Sequence, residues 1–258
     1  MISVIITHHK TPELLYLCIK SIKENFSGNA EIIVTDSESE KETEKNIKEK
    51  FPEIKFLAFK KNLGYSKIVN RGIKKSKGKY ILILNADIVI LKNSIETLTR
   101  FLDSHPKTAI AAPQLVDFNN NTQVSCFKDP KPKYILIRRT PLKKTKKGKE
   151  ILKEYSVKPK KPTSVDWAQG SALMVRKEFI KEVGLLDENF FMYFEDADWC
   201  KRFRDKGYDI MHVPKAKMAH YYHRKSKKWG ALLDILLNKY TRIHIKSAIR
   251  YFIKHSKK

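Results

Sequence analysis

The sequence predicts an α/β fold with a mostly parallel central sheet flanked by helices. Short aliphatic runs alternate with segments of helical period over the first hundred residues, the rhythm of βαβ units. One run, residues 80–84 (YILIL), is apolar throughout and is therefore expected to be covered on both faces. A chain of 258 residues at 41% hydrophobic content can bury a substantial core in one large domain or two small ones.

Residues 3–7 form a β-rich run. Residues 12–26 follow with Leu14, Leu15, Leu17, Cys18, Ile22 and Phe26 in helical period, Thr11 as N-cap and Pro12 at the first helical position. Residues 31–35 (EIIVT) read as a second strand. Residues 41–51 read as a polar helix closed by Pro52, and 54–59 as a third strand. A helix over 66–76 ends at Gly78, strand four spans 80–84, and another helix spans Ser94–Ser104. Residues 128–162 carry KDPKPK, RRTPLKKTKKGK and KPKKP; proline and lysine with little apolar content predict a mobile loop. Regular structure resumes at 164–176, with helices near Lys177–Val183 and 197–206 and a strand at 209–213. The expected organisation is one domain over 1–225, with the basic insertion 128–162, and a basic amphipathic helical segment over 226–258.

The charge balance, 53 Lys+Arg against 28 Asp+Glu, favours an anionic partner: nucleic acid, an acidic membrane surface or a phosphorylated substrate. AT-rich codon usage or adaptation to heat would give the same excess, since lysine dominates it. Cys18, Cys126 and Cys200 are odd in number and far apart, forming neither a disulfide framework nor metal-ligand pairs, which points to a reducing compartment. MISVIITHHK has no basic n-region or cleavage site, and no apolar run approaches the roughly 20 residues that span a bilayer. A soluble or peripheral protein is expected.

The stretch ILILNADIVI sets Asp87 where strand four leaves the core. In open α/β sheets ligands bind at the carboxyl ends of the strands. A carboxylate there can hold a divalent cation whose remaining positions are filled by water and phosphate oxygens; an Asp capping the turn is the alternative. The second strand ends in Thr35-Asp36-Ser37, placing Asp36 on the same rim, where a carboxylate can accept the imide N–H of uracil or thymine. Asn62-Leu63-Gly64-Tyr65 and Asn70-Arg71-Gly72 follow, each alone readable as an Asx-turn or helix cap.

In order, SVIITHHKTPELLYLCIKSI, EIIVTDSESE, KNLGYSKIVNRGIKKSKGKYILILNAD, WAQGSALMVRKEFIKEVGLLDENFFMYFEDADWCKRFRDKGYDIMHVP and KMAH resemble a family 2 glycosyltransferase of the GT-A fold, in its rhamnosyltransferase-like subgroup. The resemblance covers most of 3–220. It implies that Asp36 contacts the nucleotide base with Thr7 in the same pocket, and that Asn62, Gly64, Asn70 and Asn85 belong to the nucleotide-sugar site. Asp87 matches the second Asp of the family's D-x-D metal motif, with Asn85 at the first position and Ala86 in place of the subgroup's usual proline. Asp196 is implied as general base, with Glu195 holding the acceptor or orienting that base. The helix macrodipole offers a simpler account of the acids at 195–198, above all of Asp198. His220 matches a metal-binding position that suits Mn²⁺ better than Mg²⁺; a surface His beside Tyr221, Tyr222 and His223 is the alternative. Trp167, Gln169 and Gly170 resemble the acceptor-side loop, where a Trp stacks on a sugar or sits in the core.

The implied reaction is inverting transfer from a nucleotide-diphosphate sugar, dTDP-rhamnose first and a UDP-sugar next. The acceptor would be a hydroxyl of a glycan or lipid-linked saccharide in cell-surface polysaccharide synthesis, and the cofactor Mg²⁺ or Mn²⁺. Residues 229–252 set Leu232, Leu233, Leu236, Leu237, Tyr240, Ile243, Ile249 and Phe252 at helical spacing among Lys239, Arg242, Lys246, Arg250 and Lys254. Such a stripe packs on the domain, on a second subunit in a homodimer, or on an anionic leaflet, giving a cytoplasmic protein peripheral on the inner face of the cell membrane. Nucleic acid is not an expected partner, because no reader motif is present and the rim acids repel a phosphate backbone. A nucleotidyltransferase or dinucleotide enzyme would share the α/β pattern, but the segment 7–12 has no Gly-rich phosphate loop.

Overall fold

The computed structural model describes residues 1–221 and 238–256. In chain order they form β1 (Ile2–His8), α1 (Pro12–Asn25), β2 (Ala30–Ser37), α2 (Lys41–Lys50), β3 (Lys55–Phe59), α3 (Tyr65–Lys75), β4 (Tyr80–Asn85), β5 (Ile88–Ile90), α4 (Ser94–Ser104) and β6 (Thr108–Val116). There follow β7 (Cys126–Phe127), α5 (Pro132–Arg139), a 3₁₀ turn at Pro141–Lys144, α6 (Lys146–Tyr155), β8 (Ser156–Val157), β9 (Thr163–Ser164) and β10 (Trp167–Ala168). The chain continues through β11 (Ala172–Arg176), α7 (Lys177–Val183), α8 (Glu195–Asp205), β12 (Asp209–His220) and α9 (Lys239–His255).

The main sheet runs β3-β2-β1-β4-β11-β6-β12-β5, with β9 on β12. The β1–β2, β1–β4, β2–β3 and β6–β12 pairs are parallel, while β11 enters antiparallel between β4 and β6. Alternating residues of the central strands feed two cores. Val4, Ile6, Leu82 and Leu84 pack with Leu15 and Ile19 of α1 and Leu98 and Leu102 of α4. Ile5, Ile81 and Ile83 pack with Val69 of α3, Ile180 of α7 and Trp199 and Phe203 of α8. The apolar run of β4 is thus covered on both faces, as its composition requires.

Several expectations need correction. Thr11 stands at the N-cap of α1, but its side chain makes no capping bond. The wholly buried strand β6 has no expected counterpart because its sequence, TAIAAPQLV, is rich in alanine and broken by Pro113. A proline in a central strand removes a ladder donor. Here Pro113 sits opposite Val213, where the β6–β12 register shifts.

The segment 128–162 is not a structureless loop. Phe127, Tyr134 and Tyr155 form a small core with Val124, Ile151 and Trp167 packed against it, and α5 and α6 fold around it. A second sheet, β10-β7-β8, ties the insertion to the body. Thr145 caps α6 by accepting the Gly148 N–H at 3.0 Å.

The first part of the expected C-terminal stripe, including Leu232, Leu233, Leu236 and Leu237, lies outside the described residues, as do Tyr222 and His223. In α9 the buried residues are Thr241, Ser247, Ala248 and Tyr251, while Ile249 and Ile253 are exposed. Among the described residues no helix is long and apolar enough to cross a membrane.

Candidate active site

The carboxyl ends of β1, β2 and β4 form a rim. Parallel pairing sets His8 beside Asp36 and Thr7 beside Asn85. His8 Nε2 accepts the Thr11 backbone N–H at 2.9 Å, so Nδ1 carries the ring proton and donates it to Asp36 Oδ1 at 2.7 Å. The other oxygen, Asp36 Oδ2, is buried and has no partner among the described residues. An orphaned buried carboxylate oxygen is costly unless a ligand supplies a donor. The Thr7 hydroxyl lies within reach of two acceptors, Leu84 O at 3.2 Å and Asn85 Oδ1 at 3.1 Å, which turns the Asn85 carbonyl toward β1.

Past the end of β4, Asp87 Oδ1 is buried without a partner among the described residues, and Oδ2 lies 3.6 Å from Nε2 of His220. The opposite ring nitrogen, His220 Nδ1, meets Gln123 Oε1 at 3.0 Å, and Gln123 Nε2 donates to the His220 carbonyl at 3.0 Å. A carboxylate oxygen and an imidazole nitrogen facing each other fit a divalent cation of the Mn²⁺ kind. Among the described residues no group of three or more His, Cys, Asp or Glu is arranged to hold a metal ion by itself. Asp87 and His220 would therefore hold such a cation with water and phosphate oxygens completing its shell.

The acid pair opens α8. Asp196 Oδ2 accepts the Gly170 N–H at 2.9 Å and Oδ1 the Ala197 N–H at 2.8 Å. Burial outweighs these bonds and pushes the Asp196 carboxyl up to about 6. Glu195 is driven well above the carboxylate range by burial, and the charges of Asp196 and Asp198 add to it. The Tyr65 hydroxyl donates to the Gly170 carbonyl. Loss of water raises that phenol well above its ordinary range, and Glu195, Asp196 and Asp87 raise it further. Tyr65 therefore stands among the acids of both ends of the site.

Asp198 does more than answer the helix dipole. It is wholly buried, its Oδ2 2.9 Å from Arg202 Nε and its Oδ1 2.8 Å from Lys254 Nζ and 2.9 Å from His255 Nε2. This cluster docks α9 onto α8. Ser247 Oγ donates to the Met192 carbonyl at 2.9 Å, and the His244 ring lies against Tyr193 and Phe194. Those two residues enter α8 with φ of 70° and 67°, a conformation that costs a non-glycine residue about 1 kcal/mol or more and needs such support.

Other expected site residues hold loops. Asn62 Oδ1 accepts the Gly64 N–H at 3.0 Å in a local turn. Gly64 has φ of +82°, and a Cβ there would lie 2.5 Å from the Phe191 carbonyl oxygen. Asn70 is buried, with Nδ2 donating to Leu186 O and Glu188 Oε1 and Oδ1 accepting the Leu186 N–H. Its polar atoms are spent on the 186–188 stretch. Trp167 stacks on Phe127 at 4.6 Å and donates its indole N–H to Lys128 O, so one face belongs to the insertion core. His8 and Tyr65 join the site although the resemblance implies no role for them; they lie in the stretches THHK and NLGY. Gln123 sits in a polar turn with no sequence signal.

The profile of glycosyl transferase family 2 matches residues 3–184. A low-salt glycan biosynthesis hexosyltransferase of Haloferax volcanii is 30% identical over 213 residues, covering 81% of this chain and 63% of its own. The rhamnosyltransferase WbbL of Escherichia coli is 30% identical over 177 residues, covering 67% of this chain and 61% of its own. The chain thus spans less than two thirds of the length of these relatives. Among solved structures, GalNAc-T7 with UDP, GalNAc and Mn²⁺ superposes with a TM-score of 0.67 at 18% identity, over 98% of this chain and 49% of that one. The mannosyltransferase PcManGT of Pyrobaculum calidifontis, in complex with GDP-Man and Mn²⁺, gives 0.63 at 15% identity, over 100% and 64%. At such identities the superpositions establish the GT-A fold, and the profile match over most of the chain establishes its family: this protein belongs to glycosyl transferase family 2.

Proposed function

We propose that the protein is an inverting, metal-dependent hexosyltransferase, with dTDP-rhamnose as the favoured donor and a UDP-sugar next. The acceptor is a hydroxyl of a glycan or lipid-linked saccharide in cell-surface polysaccharide synthesis. The observation that carries this reading is the buried carboxylate Asp196, pushed to about 6 and held by the N–H of Gly170, whose carbonyl takes the Tyr65 hydroxyl. Its value suits a general base working near neutrality. The named activities of the hexosyltransferase and rhamnosyltransferase relatives support the reaction class.

Asp36 Oδ2 accepts the imide N–H of the base, and His8 holds the carboxylate so that this oxygen faces the ligand. Asp87 and His220 would hold a divalent cation, Mn²⁺ or Mg²⁺, which when bound would offset charge on the diphosphate leaving group. Asp196 takes the proton of the acceptor hydroxyl while the hydroxyl oxygen bonds to the anomeric carbon from the face opposite the diphosphate. The bond from that carbon to the diphosphate oxygen breaks in the same displacement, so the configuration inverts. Glu195, kept protonated, offers an O–H to the acceptor. The basic C-terminal segment places the enzyme on the anionic inner face of the cell membrane.

A thermal-shift screen of nucleotide sugars with Mg²⁺ and Mn²⁺ tests the donor, since a ligand that binds only the folded state raises its stability. A thymidine or uridine diphosphate sugar is expected to stabilise the protein only with the cation. Stabilisation by guanosine diphosphate sugars alone would count against the donor assignment. Flotation with anionic liposomes tests the membrane, and no binding at moderate salt would contradict that part.

A further inference from the structure

We infer that Gln123 is the positioning residue that presents His220 to the cation, by fixing which imidazole nitrogen carries the proton; this rests on the cation reading of Asp87 and His220. The Gln123 backbone is itself held on both sides. Its N–H donates to Leu115 O at 2.9 Å and its carbonyl accepts from Gln114 Nε2 at 3.2 Å. The side chain then makes two reciprocal contacts with one residue, Nε2 to the His220 carbonyl and Oε1 to His220 Nδ1, both at 3.0 Å.

A backbone carbonyl can only accept, so the amide nitrogen of Gln123 must face it. That leaves Oε1, an acceptor, against Nδ1, and Nδ1 must carry the hydrogen. Nε2 then directs a lone pair toward Asp87, 3.6 Å away. In water imidazole prefers the opposite tautomer, which would aim an N–H at the cation. Partners that fix the tautomer of a metal-binding histidine are worth about tenfold to a hundredfold in metal affinity.

The test measures Mn²⁺ binding by the electron paramagnetic resonance of the free ion, and the His220 tautomer by ¹⁵N NMR of the cation-free protein at alkaline pH. Gln123→Leu is expected to move His220 to the Nε2–H form and weaken Mn²⁺ binding about tenfold to a hundredfold. Gln123→Glu keeps the acceptor on Nδ1 but loses the donor to the His220 carbonyl. It is expected to keep the tautomer and to match or exceed wild-type affinity. A residue that only braced the backbone would give the same loss in both variants, and that result overturns the inference. So does a Gln123→Leu protein with unchanged tautomer and affinity while Asp87→Asn and His220→Ala weaken binding. If Asp87→Asn and His220→Ala also leave Mn²⁺ binding unchanged, the cation reading itself fails.

Discussion

The backbone amide of Gly170 donates to Asp196 Oδ2 at 2.9 Å, joining the turn between β10 and β11 to the first turn of α8. The Gly170 carbonyl takes the Tyr65 hydroxyl, so one residue, through its two flanking peptide groups, links α3 to the candidate base. A side chain here would crowd that link, since a Cβ on Gly170 would lie 3.0 Å from the Tyr65 oxygen. Burial raises the Asp196 carboxyl while the backbone N–H groups of Gly170, Ala197 and Asp196 itself lower it, and the balance lies near 6.

Turnover is therefore expected to rise with pH through about 6 and level off above it, as Asp196 loses its proton. Stability moves the opposite way. Unfolded, the group ionises near 3.8 and folded near 6, so between these values the folded state holds more protons and loses stability as pH rises. The interval corresponds to about 3 kcal/mol. Asp196→Asn removes this dependence, although its amide nitrogen can accept none of these backbone N–H groups. Melting curves at several pH values should show the variant gaining on wild type between about pH 4 and 6.

Loss of Asp87 removes the carboxylate of the proposed cation pair. Asp87→Ala is expected to lower kcat/KM by about 10²–10³, the scale of one lost electrostatic contact to a developing charge. Chelation should do the same to the wild-type enzyme, with Mn²⁺ restoring it. An Asp87→Ala enzyme that is active and indifferent to chelators contradicts the metal role.

In an Asp36→Asn variant the amide oxygen goes to His8 and the NH₂ group takes the place of the orphaned oxygen. Donor KM should rise about tenfold to a hundredfold for uracil or thymine nucleotides, the cost of a lost charged hydrogen bond. Preference should tilt toward a cytosine nucleotide, whose ring nitrogen there is an acceptor. Competition binding with the three nucleoside diphosphates reads this directly.

Asp198→Asn leaves Arg202, Lys254 and His255 around a neutral amide. Breaking a buried ion cluster from one side costs about 3–5 kcal/mol, whereas replacing exposed Lys246 should change stability by less than about 0.5 kcal/mol. Urea denaturation separates the two. Because α9 supports Met192–Phe194, turnover of Asp198→Asn should fall with stability.

The parallel half of the sheet was legible because its strands are unbroken aliphatic runs. β6 was hidden by alanines and Pro113, whose fit depends on a register shift in a strand a hundred residues away. The folding of 128–162 was masked by lysines that outnumber its two tyrosines, Tyr134 and Tyr155, which make a small core only with Phe127 and Trp167 from outside the segment. The structure places Asp36, Asp87 and Asp196 at strand or helix ends, where their motifs put them. Gln123 and the cluster around Asp198 depend on contacts far apart in sequence, and a linear pattern carries no trace of them.

The central claim, that Asp196 is the base of a sugar transfer, is tested most directly by one paired measurement on Asp196→Asn: donor affinity by calorimetry and turnover with the same nucleotide sugar. An unchanged donor Kd with turnover reduced by about 10²–10⁴ is the expected result, the range for losing a general base. Turnover within a few-fold of wild type would remove Asp196 from the mechanism.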